Sequence, residues 1–414
     1  MTMKESGIEW VGLIPDMWSV IPNKYVMHKE KNLCEKWTGE DVMSLTMNGV
    51  IVRDLQNPTG KMPATFDGYQ YIEDGDLLMC LFDIDVTPRC VGRVTHDGVT
   101  SPAYSNFKVH DNASRDYYYY YYLMVDNTKE LLHLAKNLRH SFTEEQLGRL
   151  KVPMPPLSEQ QSIADYLDKT CSKIDEIIVE AKASIDEYKE LKQSVIFEVV
   201  TKGLDKNVEM KDSKIEQIGK IPQNWSVMRI KNILFERNER TVDGHEEKLS
   251  VTQQYGIVKS SEIQIPNPSD SFGGYRVVSV GDIVFNKYKA HSGVFFASPY
   301  DGIVTFNYSV YRCYGNQNPI YYEYLFHTQA FIDEFKRRIY GVGESISPLY
   351  SKNLLPIPVI VPPLVEQNLI VDYIKKKTQQ IDSLIAEKES LINDLETYKK
   401  SLIYEVVTGK RRVV

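Results

Sequence analysis

Residues 155–203 read PPLSEQQSIADYLDKTCSKIDEIIVEAKASIDEYKELKQSVIFEVVTKG, and residues 362–410 read PPLVEQNLIVDYIKKKTQQIDSLIAEKESLINDLETYKKSLIYEVVTGK. The two stretches match at 21 of 49 positions without a gap, offset by 207 residues, half of the 414-residue chain. Self-similarity on this scale decides architecture before any local pattern does. Each copy opens on Pro-Pro, which cannot continue a helix and so marks a start. In the first copy Ser158 reads as an N-cap with an acid, Glu159, suited to the positive end of the helix dipole. The second copy carries Val365 at the Ser158 place, so its cap must come from elsewhere. Gly203 and Gly409 supply stops.

Between start and stop, apolar residues recur at steps of three and four. The first copy gives Ile163, Leu167, Ile174, Ile177, Ala181, Ile185, Tyr188, Leu191, Val195 and Val199. The second gives Ile370, Ile374, Ile381, Leu384, Leu391, Leu395, Tyr398, Leu402 and Val406. A seam held for about six heptads is far longer than an ordinary globular helix and predicts two rods of about 65 Å packed on each other.

The repeat extends outward from the rods. KESGIEWVGLIPDMWSV at Lys4 returns as KDSKIEQIGKIPQNWSV at Lys211, which pairs Pro15 with Pro222 and Trp18 with Trp225. Each half is therefore an opening segment, a variable body and a rod. By symmetry the second rod should end near Lys4. The bodies, roughly 20–152 and 227–359, share landmarks but little sequence. Gly75-Asp76-Leu77-Leu78 answers Gly281-Asp282-Ile283-Val284, and Tyr104-Ser105 answers Tyr308-Ser309. Each landmark reads as a turn or strand start. Short strands around Asn48–Arg53, Leu77–Phe82, Gly92–Val94 and Phe107–His110, with amphipathic helices over 126–140 and 321–341, make each body an α/β globule. The expected class is α+β: two pseudo-two-fold related globules separated by two long antiparallel helices in a coiled coil. The segments are 1–154 (first body), 155–203 (first rod), 204–361 (linker and second body) and 362–414 (second rod and tail).

Composition bounds the function. With 42% apolar and 25% charged residues the chain is that of a globular protein. No run of 18 apolar residues exists to span a membrane. Cys34, Cys80, Cys90, Cys171 and Cys313 form no CxxC pair and read as reduced thiols, consistent with a cytoplasmic location. A net charge of −7 argues against nucleic acid, whose binders usually show a basic face, although the distribution of charge matters more than its sum. No P-loop, HExxH, G-x-S-x-G or methyltransferase motif is present; Asn267-Pro268-Ser269-Asp270 only superficially resembles the last. Neither catalysis nor a cofactor is expected of this chain.

The tyrosine run Tyr117–Tyr122 reads as a helix with a core face and a wet face rather than a base-stacking platform. Asp83 and Asp85 could share a strand face, but lack a third metal ligand at a telling spacing. Candidate DNA contacts follow from charge and position. They are Arg89 after Thr87-Pro88, and Lys287, Lys289 and His291 at the comparable place in the second body. Lys61, Arg139, Arg337 and Arg338 complete the set, the last two just before the glycine loop Gly341-Val342-Gly343. Arginine and lysine match guanine edges or phosphate.

PPLSEQQSIADYLD, IDEIIVEAKASIDEYKELKQSVIFEVVTKGL, GIEWVGLIPDMW and their second copies resemble the specificity subunit of Type I restriction–modification enzymes over nearly the whole chain. The resemblance implies two target recognition domains, each reading one half of a bipartite sequence in double-stranded DNA. It implies helices that act as a ruler for the gap and dock two methyltransferase subunits, with two restriction–translocase subunits completing the enzyme. S-adenosylmethionine, ATP and magnesium would bind those partners. If the methyltransferases supply much of the phosphate contact, the isolated acidic chain should bind DNA weakly and with strong salt dependence. A cytosolic coiled-coil scaffold whose globules bind proteins is the alternative.

Overall fold

The structure is a computed structural model that describes residues 2–58, 62–87, 89–135, 140–263, 272–339 and 348–413. The chain forms two compact units, Met1–Lys182 with Glu389–Val414, and Ala183–Lys388. The segment boundaries expected from sequence follow the chain, whereas the compact units divide each long helix between them.

In the first unit the opening segment is a two-stranded ribbon, Met3–Glu5 against Leu13–Pro15. Ser19–Pro22 then pairs with Lys151–Met154, so both ends of the body meet where the first long helix begins. The body holds an antiparallel four-stranded sheet in the order Val91–Arg93, Leu77–Met79, Ser105–Val109, Met27–Glu30. A five-stranded sheet, Leu33–Cys34, Tyr69–Ile72, Gly98–Thr100, Val42–Thr46, Gly49–Val52, contains one parallel pairing. In the second unit the ribbon is Met210–Asp212 with Lys220–Pro222, and the closing pair is Ser226–Arg229 with Pro358–Val361. Its four-stranded sheet, Leu234–Arg237, Tyr308–Cys313, Ile283–Asn286, Phe295–Ala297, repeats the connectivity of the first. A hairpin, Leu249–Thr252 with Gly256–Lys259, and a separate antiparallel pair, Arg276–Val278 with Gly302–Val304, replace the five-stranded sheet.

Strands occur at each expected place, with ends shifted by one to three residues. The helix expected over 126–140 is only Glu130–Leu134 within the described residues, and that over 321–341 is split into Pro319–Phe326 and Gln329–Arg337. The tyrosine run lies in helix Arg115–Asn127, capped by the Ser114 hydroxyl, with all but Tyr119 of the six buried. Tyr117 donates to the Val407 carbonyl at 2.9 Å and Tyr118 to Pro153 at 2.8 Å, so these two buried hydroxyls are satisfied by backbone, while Tyr120 donates to Asp168 at 2.7 Å.

The long helices are Leu157–Lys202 and Leu364–Val407. Both start directly after Pro-Pro. Ser158 is therefore not the N-cap: it lies inside the helix, and the Pro156 carbonyl already accepts from Gln160 at 3.0 Å. The missing hydroxyl at Val365 accordingly makes no difference. What is shared is the glutamate one residue on. Trp18, fully buried, donates its indole N–H to Glu159 at 2.9 Å, and Trp225 donates to Glu366 at 2.7 Å. The residue after it repeats as well. Gln160 accepts from Ser114 N and donates to the Pro155 carbonyl, both at 2.8 Å. Gln367 accepts from Asn318 N at 2.8 Å and donates to Pro362 at 2.9 Å.

Gly203 and Gly409 take left-handed φ of +76° and +71° after the last turn. A Cβ on Gly409 would lie 2.6 Å from Pro15 and 2.9 Å from Trp18. In the first unit, then, the start of one long helix and the end of the other abut Trp18, and the two segments run antiparallel. The second unit does the same around Trp225, with Glu366 and Gly203. Lys410 Nζ donates to the Val11 carbonyl at 2.7 Å, which fixes the end of the second helix on the opening segment as the repeat requires.

The seam needs correction at five places. Ile177, Leu191, Leu384, Leu391 and Tyr398 are each at least 40% exposed. The inward series is Leu167, Cys171, Ile174, Ile178, Ala181, Ile185, Tyr188, Lys192, Val195, Val199, and on the other helix Ile374, Thr378, Ile381, Ile385, Lys388, Ile392, Leu395, Lys399, Leu402, Val406. These steps of four and three form an unbroken heptad frame. Lysines on the seam hide it, because an apolar residue lies one position before each of Lys192 and Lys399. Ile174, Ala181, Tyr188, Val195, Ile381, Leu395 and Leu402 are buried or half-buried. Ile163, Leu167, Ile174 and Ile178 share one core with Leu402, Ile403, Val406 and Val407, and Val199 and Val200 share another with Ile370 and Ile374.

Candidate nucleic-acid interface

In each body a turn bridges two strands of the four-stranded sheet, 77–79 to 91–93 in the first and 283–286 to 295–297 in the second. Buried carboxylates build both approaches. Asp76 accepts from Asn106 at 2.6 Å and from Glu73 N at 3.0 Å, and burial raises its pKa. Asp282, fully buried, accepts from Arg237 at 2.8 Å and Arg312 at 2.7 Å. Both aspartates anchor the end of the strand pair opposite the turn, where the Asp76 carbonyl accepts from Val94 N at 2.9 Å and the Asp282 carbonyl from Ser298 N at 2.8 Å.

The first turn carries Arg89, half-exposed. Asp126 at the end of the tyrosine helix accepts from Cys90 N at 2.7 Å, and Lys129 Nζ donates to the Thr87 carbonyl at 2.8 Å. Asp83, at φ +47°, accepts at its carbonyl from Val86 and Thr87 N–H groups, so it shapes the turn. Among the described residues, no group of three His, Cys, Asp or Glu could hold a metal. Phe142 N donates to the Leu81 carbonyl at 2.7 Å and lays the segment after 136–139 against this turn. Arg139 and Lys61 lie outside the described residues, as do the glycine loop 341–345 and 267–270.

The second turn carries Lys287, Lys289 and His291. Asn286 Oδ1 accepts from the backbone N–H groups of Tyr288 and Lys289, at 3.0 and 3.2 Å, which tightens it. Tyr288 and Lys289 are exposed. Lys287 donates to the Phe306 carbonyl at 2.7 Å, and burial, with the Arg276 charge nearby, lowers its pKa. His291 Nδ1 is buried without a hydrogen-bond partner among the described residues. Leu349 N donates to Lys287 O at 2.7 Å, the counterpart of Phe142 and Leu81.

Arg337 and Arg338 are not gathered with this turn. Both pair with Glu334, at 3.3 and 2.8 Å, and they line a cleft of about 180 Å³ with residues 214–218 of the opening segment. Their charge is partly spent on that carboxylate.

Beside the second turn stands a hairpin tip that charge-based reasoning passed over, and the first body has a hairpin whose Val50 packs on Gly92, where a Cβ would lie 2.7 Å away. In the second body Thr252–Gly256 closes a hairpin whose Tyr255 is 64% exposed, and Gln253 Nε2 donates to the Ser292 carbonyl at 3.4 Å. The Gln253-Gln254-Tyr255 tip therefore lies against the Lys287–His291 turn. In the first body the tip is Met47-Asn48, between Thr46 and Gly49. The Thr46 and Thr252 hydroxyls each accept from a backbone N–H of their own tip, at 3.2 and 2.9 Å. The signal was present in sequence: Asn48-Gly49 between apolar runs is a hairpin dipeptide.

Each globule thus presents one small constellation: a hairpin tip bearing amides or an aromatic ring, and next to it a braced turn bearing cations. Amides of asparagine and glutamine suit adenine edges, and arginine and lysine suit guanine or phosphate. Such side chains have the chemistry to meet nucleic-acid edges and phosphates, and the comparisons with known proteins give the family. The chain belongs to the family described as "Type I restriction modification DNA specificity domain", which matches residues 95–187 and 207–394. A Methanocaldococcus jannaschii protein assigned as the MjaX specificity subunit of a type I restriction enzyme is 27% identical over 279 residues, 66% of this chain. The match spans 62% of that relative's length. The fold is similar to a chain in a solved structure described as "Structural basis underlying complex assembly and conformational transition of the type I R-M system". There the TM-score is 0.69 at 13% identity, with 96% of this chain and 99% of the other covered. It is also similar to the HsdS subunit from Thermoanaerobacter tengcongensis, with a TM-score of 0.54 at 14% identity over 96% and 98% of the chains.

Proposed function

We propose that this chain is the non-catalytic, sequence-reading subunit of a Type I restriction–modification complex, and that each globule reads one half of a bipartite target in double-stranded DNA. The observation that carries the reading is the repeated constellation. Both bodies carry a turn on the same four-stranded sheet and a hairpin tip on a neighbouring one, a five-stranded sheet in the first and a separate hairpin in the second, but dress them with different side chains: Asn48 and Arg89 in one, and Gln253, Gln254, Tyr255, Lys287 and Lys289 in the other. A shared frame with divergent contacts is what two unlike half-sites require. Two methyltransferase subunits would dock on the long helices and two restriction–translocase subunits would complete the cytoplasmic enzyme, with S-adenosylmethionine, ATP and magnesium held by those partners. The gap between half-sites would follow from helices that each contribute to both units.

The test is binding of the complex with its methyltransferase partner to duplexes in which one half-site at a time is altered. Gln253→Ala with Gln254→Ala should weaken binding through the second half-site alone, by about 1–3 kcal/mol per lost bidentate contact, and relax discrimination there. Arg89→Ala should do the same for the other half. Equal loss on both halves from either variant, or tight binding of a protein in place of DNA, would contradict the proposal.

A further inference from the structure

An apolar heptad seam does not by itself say how far along one helix the other must lie, since a shift of one heptad again sets apolar residues opposite apolar residues. Two of the three lysines on the seam, Lys192 and Lys399, find carboxylates on the facing helix and so act against that degeneracy, beside the packing that holds the helix ends around Trp18 and Trp225. In the first unit Lys399 Nζ donates to both oxygens of Asp175 at 2.6 Å. In the second Lys192 Nζ donates to both oxygens of Asp382, at 2.7 and 2.8 Å. Lys192 and Lys399 are one position of the 207-residue repeat, and Asp175 and Asp382 are another. The same pairing is thus built twice, with the helices exchanging roles.

The lysine side chains are only 28% and 22% exposed, whereas the aspartates are 54% and 55% exposed. Pairs this open add little stability. Their effect lies in what a slipped pairing would meet. One heptad beyond Asp175 stands Lys182, and one heptad before Asp382 stands Lys375. A slip in one direction sets Lys399 against Lys182 and Lys192 against Glu389; a slip in the other sets Lys192 against Lys375. Lys399 would then face Asp168, which Arg93 already holds at 2.7 Å. Either shift leaves an ammonium facing an ammonium on a partly buried seam, an arrangement that disfavours the wrong register.

We propose that Lys192–Asp382 and Lys399–Asp175 are positioning pairs that select the register of the long helices and, through it, the gap between the two half-sites. The second clause rests on the function proposed above; the first does not. The decisive variant is Lys192→Met with Lys399→Met in the full chain, because methionine completes the apolar seam and keeps the helices paired. Complexed with the methyltransferase partner, the unaltered chain should prefer one gap length over gaps one or two base pairs longer or shorter. The methionine variant should keep or raise its melting temperature yet lose that preference by about tenfold. Exchanging the charges at all four positions (Lys192→Asp, Asp382→Lys, Lys399→Asp, Asp175→Lys) should restore it. Undiminished gap preference in the methionine variant overturns the link to spacing.

A DNA-independent arm separates the two claims. Spin labels at the exposed Glu180 and Asp394, both in the first unit, should give one distance in the unaltered chain. In the methionine variant a second population should appear, offset along the axis by roughly 10 Å for one heptad. A single unchanged distance overturns the register lock itself. Absence of any gap preference in the unaltered chain would instead sink the functional reading and leave the lock to be judged by the labels.

Discussion

Trp18 and Trp225 do in each unit what a cap would do for a helix, but from a distance: a buried indole donates to the first-turn glutamate and packs on the glycine that ends the other long helix. A half-buried carboxyl in the second body behaves differently. Glu323 accepts from Ala297 N at 2.7 Å and has no ion-pair partner within 4 Å among the described residues, and burial pushes its pKa up to about 7. Because the folded-state value lies above the unfolded one, the folded state holds the proton between pH 4.5 and 7. Stability must then fall as pH rises through that window. Glu323→Gln keeps an acceptor for Ala297 N without a charge. It should raise stability at pH 8 by about 2–3 kcal/mol and flatten the fall between pH 5 and 7 in urea titrations. An unchanged pH profile would show that Glu323 is not the group responsible. This behaviour was not legible in YYEYLF, where Glu323 looks like one more polar helix residue; only the fold turns it toward the sheet edge.

At the scale of elements, much was legible because the repeat did the reading. The long helices, their Pro-Pro starts and their glycine stops could be placed from residues 155–203 and 362–410 alone. The seam was legible in period but not in phase. Lysines occupy inward positions at 192 and 399, and an apolar residue precedes each, so hydrophobicity pointed to Leu191 and Tyr398 instead. The hairpin tips escaped for a related reason: attention to charge favoured Arg337 and Arg338, which the structure ties to Glu334, over neutral Gln253 and Asn48. Gly409 tests the helix end. Gly409→Ala must hold φ near +71° and bring a methyl to within 2.6 Å of Pro15. It should cost at least about 1 kcal/mol of stability and loosen the Lys410–Val11 tie, read as faster amide exchange in the opening segment. Gly148→Ala, where the nearest atom lies 3.4 Å away on the Lys24 side chain, serves as the control.

For the whole molecule the account comes down to two readers on one chain, alike in frame and different in contacts. Exchanging residues 20–150 for the matching body of another specificity subunit, and mapping methylated adenines by long-read sequencing in cells that also carry the methyltransferase partner, tests this most directly. A two-part motif in which one half changes, while the other half and the gap stay as before, is the expected result. A motif altered in both halves, or a single uninterrupted one, would contradict it.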